Sequence, residues 1–213
     1  MHKHRPRLEP RKPPVQKRSQ VTVAQLLTAA AQVFEAHGYA AGTTNRIAAR
    51  AGVSIGTLYQ YYPNKEALAV ALRERHIVET GQRLHAWVEH MLAERHGLRA
   101  ALIDYVSGML EIHAGQPRLQ HILLEETTLP ERVHRLWIEA EHEAARSMAR
   151  LLRRYPAVRH ARPERAGLLV IQTVESLTHR YAAHPEQQVI DRAGFVHEVA
   201  SMMEAYLTRC RLA

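Results

Sequence analysis

The chain has 213 residues, 46% of them apolar and 23% charged, with 29 Lys/Arg against 21 Asp/Glu and a formal net charge of +8. That is the balance of an ordinary folded protein of one large or two small domains, and it argues against a disordered or membrane-embedded chain. The charge excess sits at one end: residues 1–75 carry twelve Lys/Arg against four Glu, and residues 76–213 carry seventeen of each sign, which marks the first third as the part that faces a polyanion. A single cysteine, Cys210, excludes an internal disulfide and a cysteine-built zinc cluster and suits a reducing cytoplasm.

Residues 1–18 contain seven Lys/Arg and four prolines and almost nothing to bury, which predicts a disordered basic arm. A basic start before an apolar run also mimics a secretory signal. Here, however, Val23, Leu26, Leu27, Ala30, Val33 and Phe34 recur at helical spacing with polar residues between them, so an amphipathic helix is expected over 19–37, stopped by a left-handed Gly38. The stretch from Val21 to Phe34 includes Thr22, Gln25, Thr28 and Gln32 and is too short and polar to cross a bilayer. Thr44 is placed to cap a helix to about Ala51, Gly52 to turn the chain, and Ser54 to cap a helix from Ile55 to about Tyr61. Pro63 and Asn64 then start a long helix from Lys65 to about Arg95.

Further helices are expected at about 98–114, 117–128, 130–155, 163–183 and 191–209, with Pro117, Pro130, Pro156, Pro163 and Pro185 at their junctions. No segment alternates strictly with β-branched residues, so the expected fold class is all-α. The expected division is an arm (1–18), a three-helix domain (19–64) and a larger helical bundle (65–213).

Residues 44–61 have the mechanics of a helix-turn-helix. Ala48 is small enough for two helices to cross, Gly52 tolerates a positive φ, and Ile47, Val53 and Leu58 can close a small core. That spacing alone also fits an ordinary helical hairpin. The wider pattern is more specific: Val23-Ala24-x-Leu26-Leu27-x-Ala29-Ala30-x2-Val33-Phe34-x3-Gly38-Tyr39, then Thr43-Thr44-x2-Ile47-Ala48-x3-Gly52-Val53-Ser54-x-Gly56-Thr57-Leu58-Tyr59-x-Tyr61-Tyr62-Pro63-Asn64-Lys65-Glu66-Ala67-Leu68. Over residues 18–75 the chain closely resembles the TetR/AcrR family of bacterial transcriptional regulators.

The resemblance implies a homodimer that binds a palindromic double-stranded DNA operator and is released by a small-molecule effector held in the C-terminal domain. Repression is the expected mode and activation the alternative, because the sign depends on where the operator lies. In such a motif the first turn of the second helix faces base edges. Here that turn offers Ser54, Ile55, Gly56 and Thr57, with Thr44, Asn45 and Arg46 beside it. Tyr59 and Tyr61 match family positions that touch phosphates, and Lys65 matches a basic phosphate contact; Tyr62 replaces a usual Phe and reads as core. Arg18 and the arm before it could enter the minor groove.

Beyond residue 75 the resemblance is one of length and helical pattern. A mostly apolar effector cavity is expected among Trp87, Val106, Met109, Leu110, Leu123, Trp137 and Met148, with His113, His121 and Glu125 to orient a polar group. The same residues would serve a solid core equally well. Two stripes, Val170-Val174-Leu177-Tyr181 and Phe195-Val199-Met202-Tyr206, are expected to form the dimer surface; periodicity alone fits an internal core too.

The competing class is a helical enzyme or metal-binding bundle with a nucleic-acid arm. Glu131-x2-His134 and Glu139-x2-His142 match the Glu-x-x-His unit of di-iron sites but share one helix, where such a site needs two. With no Gly-x-Ser-x-Gly, no phosphate-binding glycine loop and no paired histidine pattern for Cys210, neither enzyme activity nor a cofactor or metal is expected.

Overall fold

Several helix starts in this chain are set by short polar side chains that accept the first free amides. In a computed structural model describing residues 17–94, 96–127, 130–160 and 162–209, the Thr43 hydroxyl accepts from Arg46 N at 3.4 Å, the Ser54 hydroxyl from Thr57 N at 3.0 Å and the Asn64 carboxamide oxygen from Ala67 N at 2.8 Å. These caps open α2 (Thr44–Ala51), α3 (Ile55–Tyr61) and α4 (Lys65–Ala93). The cap of α2 is therefore Thr43, one residue before the expected Thr44. Gly52 ends α2 in the left-handed region at φ 69°, where a side chain would strain the backbone.

The first helix, α1, runs Lys17–Ala41, longer at both ends than expected. It passes through Gly38, which breaks the helical path at φ 75° and ψ 171° rather than ending it. Beyond α4 come α5 (Leu98–Ala114), α6 (Pro117–His121) with a π-helical turn at Ile122–Glu126, α7 (Glu131–Leu152), α8 (Pro163–Ala183), a 3-10 turn at Pro185–Gln187 and α9 (Arg192–Arg209). No strand occurs among the described residues, and the fold is all-α. Residues 1–16, and with them most of the expected basic arm, lie outside the described residues, as does Cys210.

The chain forms two compact units. One comprises the chain up to His76 together with Gln116–Arg135; the other comprises Ile77–Gly115 and the chain from Leu136 onward. The first unit thus includes the start of α4 and all of α6, which the expected boundary at residue 65 had placed with the bundle. Its core joins Leu26, Ala30 and Phe34 of α1, Ile47 and Ala48 of α2, Leu58 of α3, and Leu68 and Leu72 of α4. Leu119, Ile122 and Leu123 complete it. Tyr62 is 2% exposed and belongs to this core, as its replacement of a Phe implied.

In the second unit α5 packs against both α8 and α9. Here one expectation has to be corrected. Val170 and Val174 have no exposed surface, and Phe195 and Val199 are buried with them in the core of the same chain, so these four cannot meet a partner. Tyr181 stacks on Phe195 at 4.2 Å between ring centroids and donates its hydroxyl to Ile190 O, and Tyr206 hydrogen-bonds His160 Nε2. Leu177, Tyr181 and Tyr206 are half-buried and Met202 is exposed, so each stripe is buried in its own chain over only part of its width.

Gly167 fixes how closely α7 and α8 pack. A Cβ there would stand 2.7 Å from Ala145 O and 3.3 Å from Ala149 N, backbone atoms that cannot swing aside. Gly167→Ala should destabilise the chain by about 1–3 kcal/mol in urea unfolding. Gly81→Ala, where a Cβ meets nothing within 4 Å, should be neutral or stabilising.

Candidate nucleic-acid interface and ligand cleft

With seven residues, α3 is too short to be stable alone. Leu58, fully buried, pins it to the first core, and this rotation sets what faces outward. Ser54, Ile55, Gly56, Tyr59 and Gln60 are exposed, and Thr57 is half-buried. A Cβ on Gly56 would find only Ser54 Oγ, at 3.7 Å, so the glycine leaves a gap at the start of the helix where another surface can approach the backbone. The Thr57 hydroxyl lies 2.9 Å from Ser54 Oγ. From α2, Asn45 and Arg46 are exposed, and the Thr44 hydroxyl lies 3.1 Å from the Tyr59 hydroxyl. The two helices therefore present one continuous polar surface.

Lys65 has a second role that its position in the motif did not reveal. Its Nζ donates to Tyr39 O at 2.9 Å and to Ala40 O at 3.3 Å, and it lies 4.3 Å from the Tyr39 ring centroid. An ammonium has three donors, so this bracket between α4 and the end of α1 leaves one for a phosphate. Burial pushes the Tyr39 phenol up to about 12, aided by the charge of Glu66 and a hydrogen bond to it. Tyr62, buried near Glu74, is also raised to about 12. Tyr61 is half-buried and packs against the first core. Arg18 lies in the first turn of α1.

Three residues on or beside this surface escaped the sequence reading. Gln60 is exposed one turn beyond Gly56 and makes no side-chain hydrogen bond with a described residue. Its signal was the i, i+4 spacing from the glycine. Arg50 donates through Nε to Gln32 Oε1 at 2.7 Å and ties α2 to α1. Tyr39 became visible only through its partner Lys65.

The expected effector residues divide between the two units. Val106, Leu110, His113 and Met148 are almost wholly buried in the second, where the His113 ring meets His179 edge-on at 5.5 Å, and Trp137 is half-buried there. Trp87 and Met109 line one cavity of about 290 Å³. Leu123 instead belongs to the core of the first unit, and His121 pairs there with Glu125 at 3.4 Å. Leu123, His121 and Glu125 thus belong to the first unit and the other seven to the second; the π-helical turn that carries Leu123 packs it beneath α1.

Two family models match this chain: one described as bacterial regulatory proteins of the tetR family over residues 26–72, and one as the C-terminal domain of tetracyclin repressor-like proteins over residues 97–207. The chain belongs to the TetR family of bacterial regulatory proteins. It is a transcriptional regulator by family. Among curated proteins it is 38% identical over 78 residues to the HTH-type transcriptional activator FasR of Mycolicibacterium smegmatis. That match covers 37% of this chain and only 36% of FasR.

Solved TetR-like structures share the fold over nearly the whole length. A TetR-family regulator from Mesorhizobium loti superimposes with a TM-score of 0.69 at 16% identity, covering 90% of this chain and 98% of that one. The fatty acid degradation regulator FadR of Bacillus halodurans gives 0.64 at 21%, covering 89% and 97%. FadR of Bacillus subtilis, solved with stearoyl-CoA, gives 0.59 at 17%, covering 87% and 97%.

For this TetR-family chain the Lys65 bracket makes a separable prediction. Lys65→Ala should weaken binding to every duplex and lower the salt slope by about one, and it should also cost about 1–2 kcal/mol of stability through the lost charged hydrogen bonds. Salt-dependent binding curves and urea unfolding test the two effects. The tyrosines add a pH signature. Because the folded-state values of Tyr39 and Tyr62 lie above the ordinary 10, their contribution to stability is complete below pH 10 and is lost as the pH rises towards 12. The double variant Tyr39→Phe/Tyr62→Phe should flatten that fall in a pH series of unfolding curves.

Proposed function

We propose that this chain binds a palindromic duplex operator as a homodimer and that a small, mostly apolar effector in the second unit releases it, so that it acts as a repressor. The observation that carries this reading is the α2–α3 surface: a glycine gap with exposed Ile55 and Gln60 on a short helix held by Leu58, and exposed Asn45 and Arg46 on the helix before it. Such a helix enters the major groove with its first turn against the bases. Tyr59, Tyr61 and Lys65 flank it as phosphate contacts, which set register and affinity without reading sequence. The basic residues at the start of the chain, Arg18 among them, add further phosphate neutralisation.

Gln60 is assigned to base reading, since a glutamine amide can pair with adenine through its acceptor and donor edges. The dimer is assigned to the outward sides of α8 and α9, where Leu169 is 48% and Met202 46% exposed. Activation is the second reading, favoured by the name of FasR as an activator. Transcription from a promoter with the bound site placed across it, and then upstream of it, separates the two.

Selection of bound sequences from a random duplex pool should return a palindrome. Gln60→Ala should relax its preference at one position in each half-site, at a cost of about 1–3 kcal/mol for the native base. Met202→Glu should yield monomers by light scattering that no longer hold the palindrome, because the charge would be desolvated against its symmetry mate. Non-palindromic selected sites, or a Met202→Glu dimer, would reject the corresponding assignment.

A further inference from the structure

The cavity of about 290 Å³ in the second unit is walled by Arg83 and Trp87 of α4 and by Asp104, Tyr105, Met109 and Ile112 of α5. Gly108 of α5 lies in its wall, where a Cβ would meet nothing within 4 Å. Trp87 is held across it. The indole Nε1 donates to Asp104 Oδ2 at 2.6 Å, and the ring lies 5.1 Å from that of Tyr105, tilted by 37°. The aromatic surface is thus preset, which lowers the entropy cost of covering it.

The charges around this cavity are not equally served. Asp104 already accepts from Trp87, and Glu111, also in the wall, accepts from Arg192 Nη2 at 3.2 Å. Arg83 makes no hydrogen bond or ion pair with any described residue, although its guanidinium carries five N–H donors. A ligand with an anionic end would gain a charge-assisted, two-pronged contact at Arg83. A cationic ligand would meet Arg83 as a like charge and would have to compete with Trp87 and Arg192 for the carboxylates. The rest of the wall, Trp87, Tyr105, Met109 and Ile112, rewards hydrocarbon.

We infer that the cleft between α4 and α5 binds a small amphipathic organic acid, its carboxylate on Arg83 and its hydrocarbon against Trp87, Met109 and Ile112. The volume stands at the lower edge of the ~300–1,000 Å³ usual for small-molecule sites, which suits a single short chain or ring and excludes a nucleotide-bearing conjugate from the cavity itself. The inference rests on the effector reading above for its regulatory meaning, but the binding itself is measurable apart from DNA.

The test compares decanoate with decyltrimethylammonium, which have the same chain and opposite charge. In a Trp137→Phe chain, Trp87 is the one remaining tryptophan. Decanoate should shift its emission saturably, and Arg83→Ala should weaken binding at least fivefold; the ammonium should give no saturable shift. Calorimetric titration of the unmodified chain and of Arg83→Ala repeats the comparison without touching either tryptophan. An Arg83→Ala effect below fivefold, absence of saturable decanoate binding, or equal affinity for the ammonium would each overturn the assignment. Operator binding by the same unmodified chain, without decanoate, tests the regulator reading on its own. Decanoate binding without operator binding sinks only that reading, and the converse sinks only the cleft.

Discussion

The burial of Leu58 is the constraint on which the exposed α2–α3 surface depends. A helix of seven residues has no stability of its own, so α3 exists because Leu58 is buried in the first core, the one that also holds Phe34, Ile47, Leu68 and Leu72. Its removal would forfeit about 2–5 kcal/mol and also the rotation that turns Ile55, Gly56 and Gln60 outward. Caps at Ser54 and Asn64 hold the two ends of this short element, and the left-handed Gly52 lets it follow α2 without a longer loop. Recognition and folding are thus the same event here: the side chains that would read DNA have no fixed direction until the core closes.

Lys65 shows how one residue can serve both ends of that arrangement. Its ammonium binds the carbonyls where α1 ends and rests over Tyr39, while the same group stands at the start of the helix that follows α3. The charge proposed to meet a phosphate is therefore also a charge that ties the end of α1 to the start of α4. Arg118 does comparable work on α1 from the other direction: its Nη1 donates to Ala36 O, and Leu119 N donates to Glu35 at 2.7 Å. The segment from Gln116 onward is in this way bonded into the first unit by its backbone as well as by Leu119, Ile122 and Leu123.

The second unit uses its apolar stripes differently. Val170, Val174, Phe195 and Val199 fill its core, and the surface left to α8 and α9 is polar apart from isolated groups such as Leu169 and Met202. Between α4 and α5 the packing leaves a cleft with Trp87 bridging it. Large side chains on an inward stripe therefore have two fates in this unit: most fill the core, and a few wall a space.

Local chemistry was legible in the sequence because it acts over three or four residues. The Ser54 and Asn64 caps, the turn at Gly52, the prolines at helix junctions and the 3.6-residue apolar period gave the all-α class and nearly every helix, and the motif over 18–75 gave the family. Tertiary structure decided what local periodicity leaves degenerate. An apolar stripe shows that a face is buried without saying whether the same chain or a partner buries it, and only the folded structure places Val170, Val174, Phe195 and Val199 in the core of their own chain. Spacing likewise gave no account of the long-range carbonyl partners of Lys65, or of Leu123 leaving the bundle for the core beneath α1. Those choices are made by contacts between residues 25 to more than 80 positions apart, whose geometry exists only after the chain has closed.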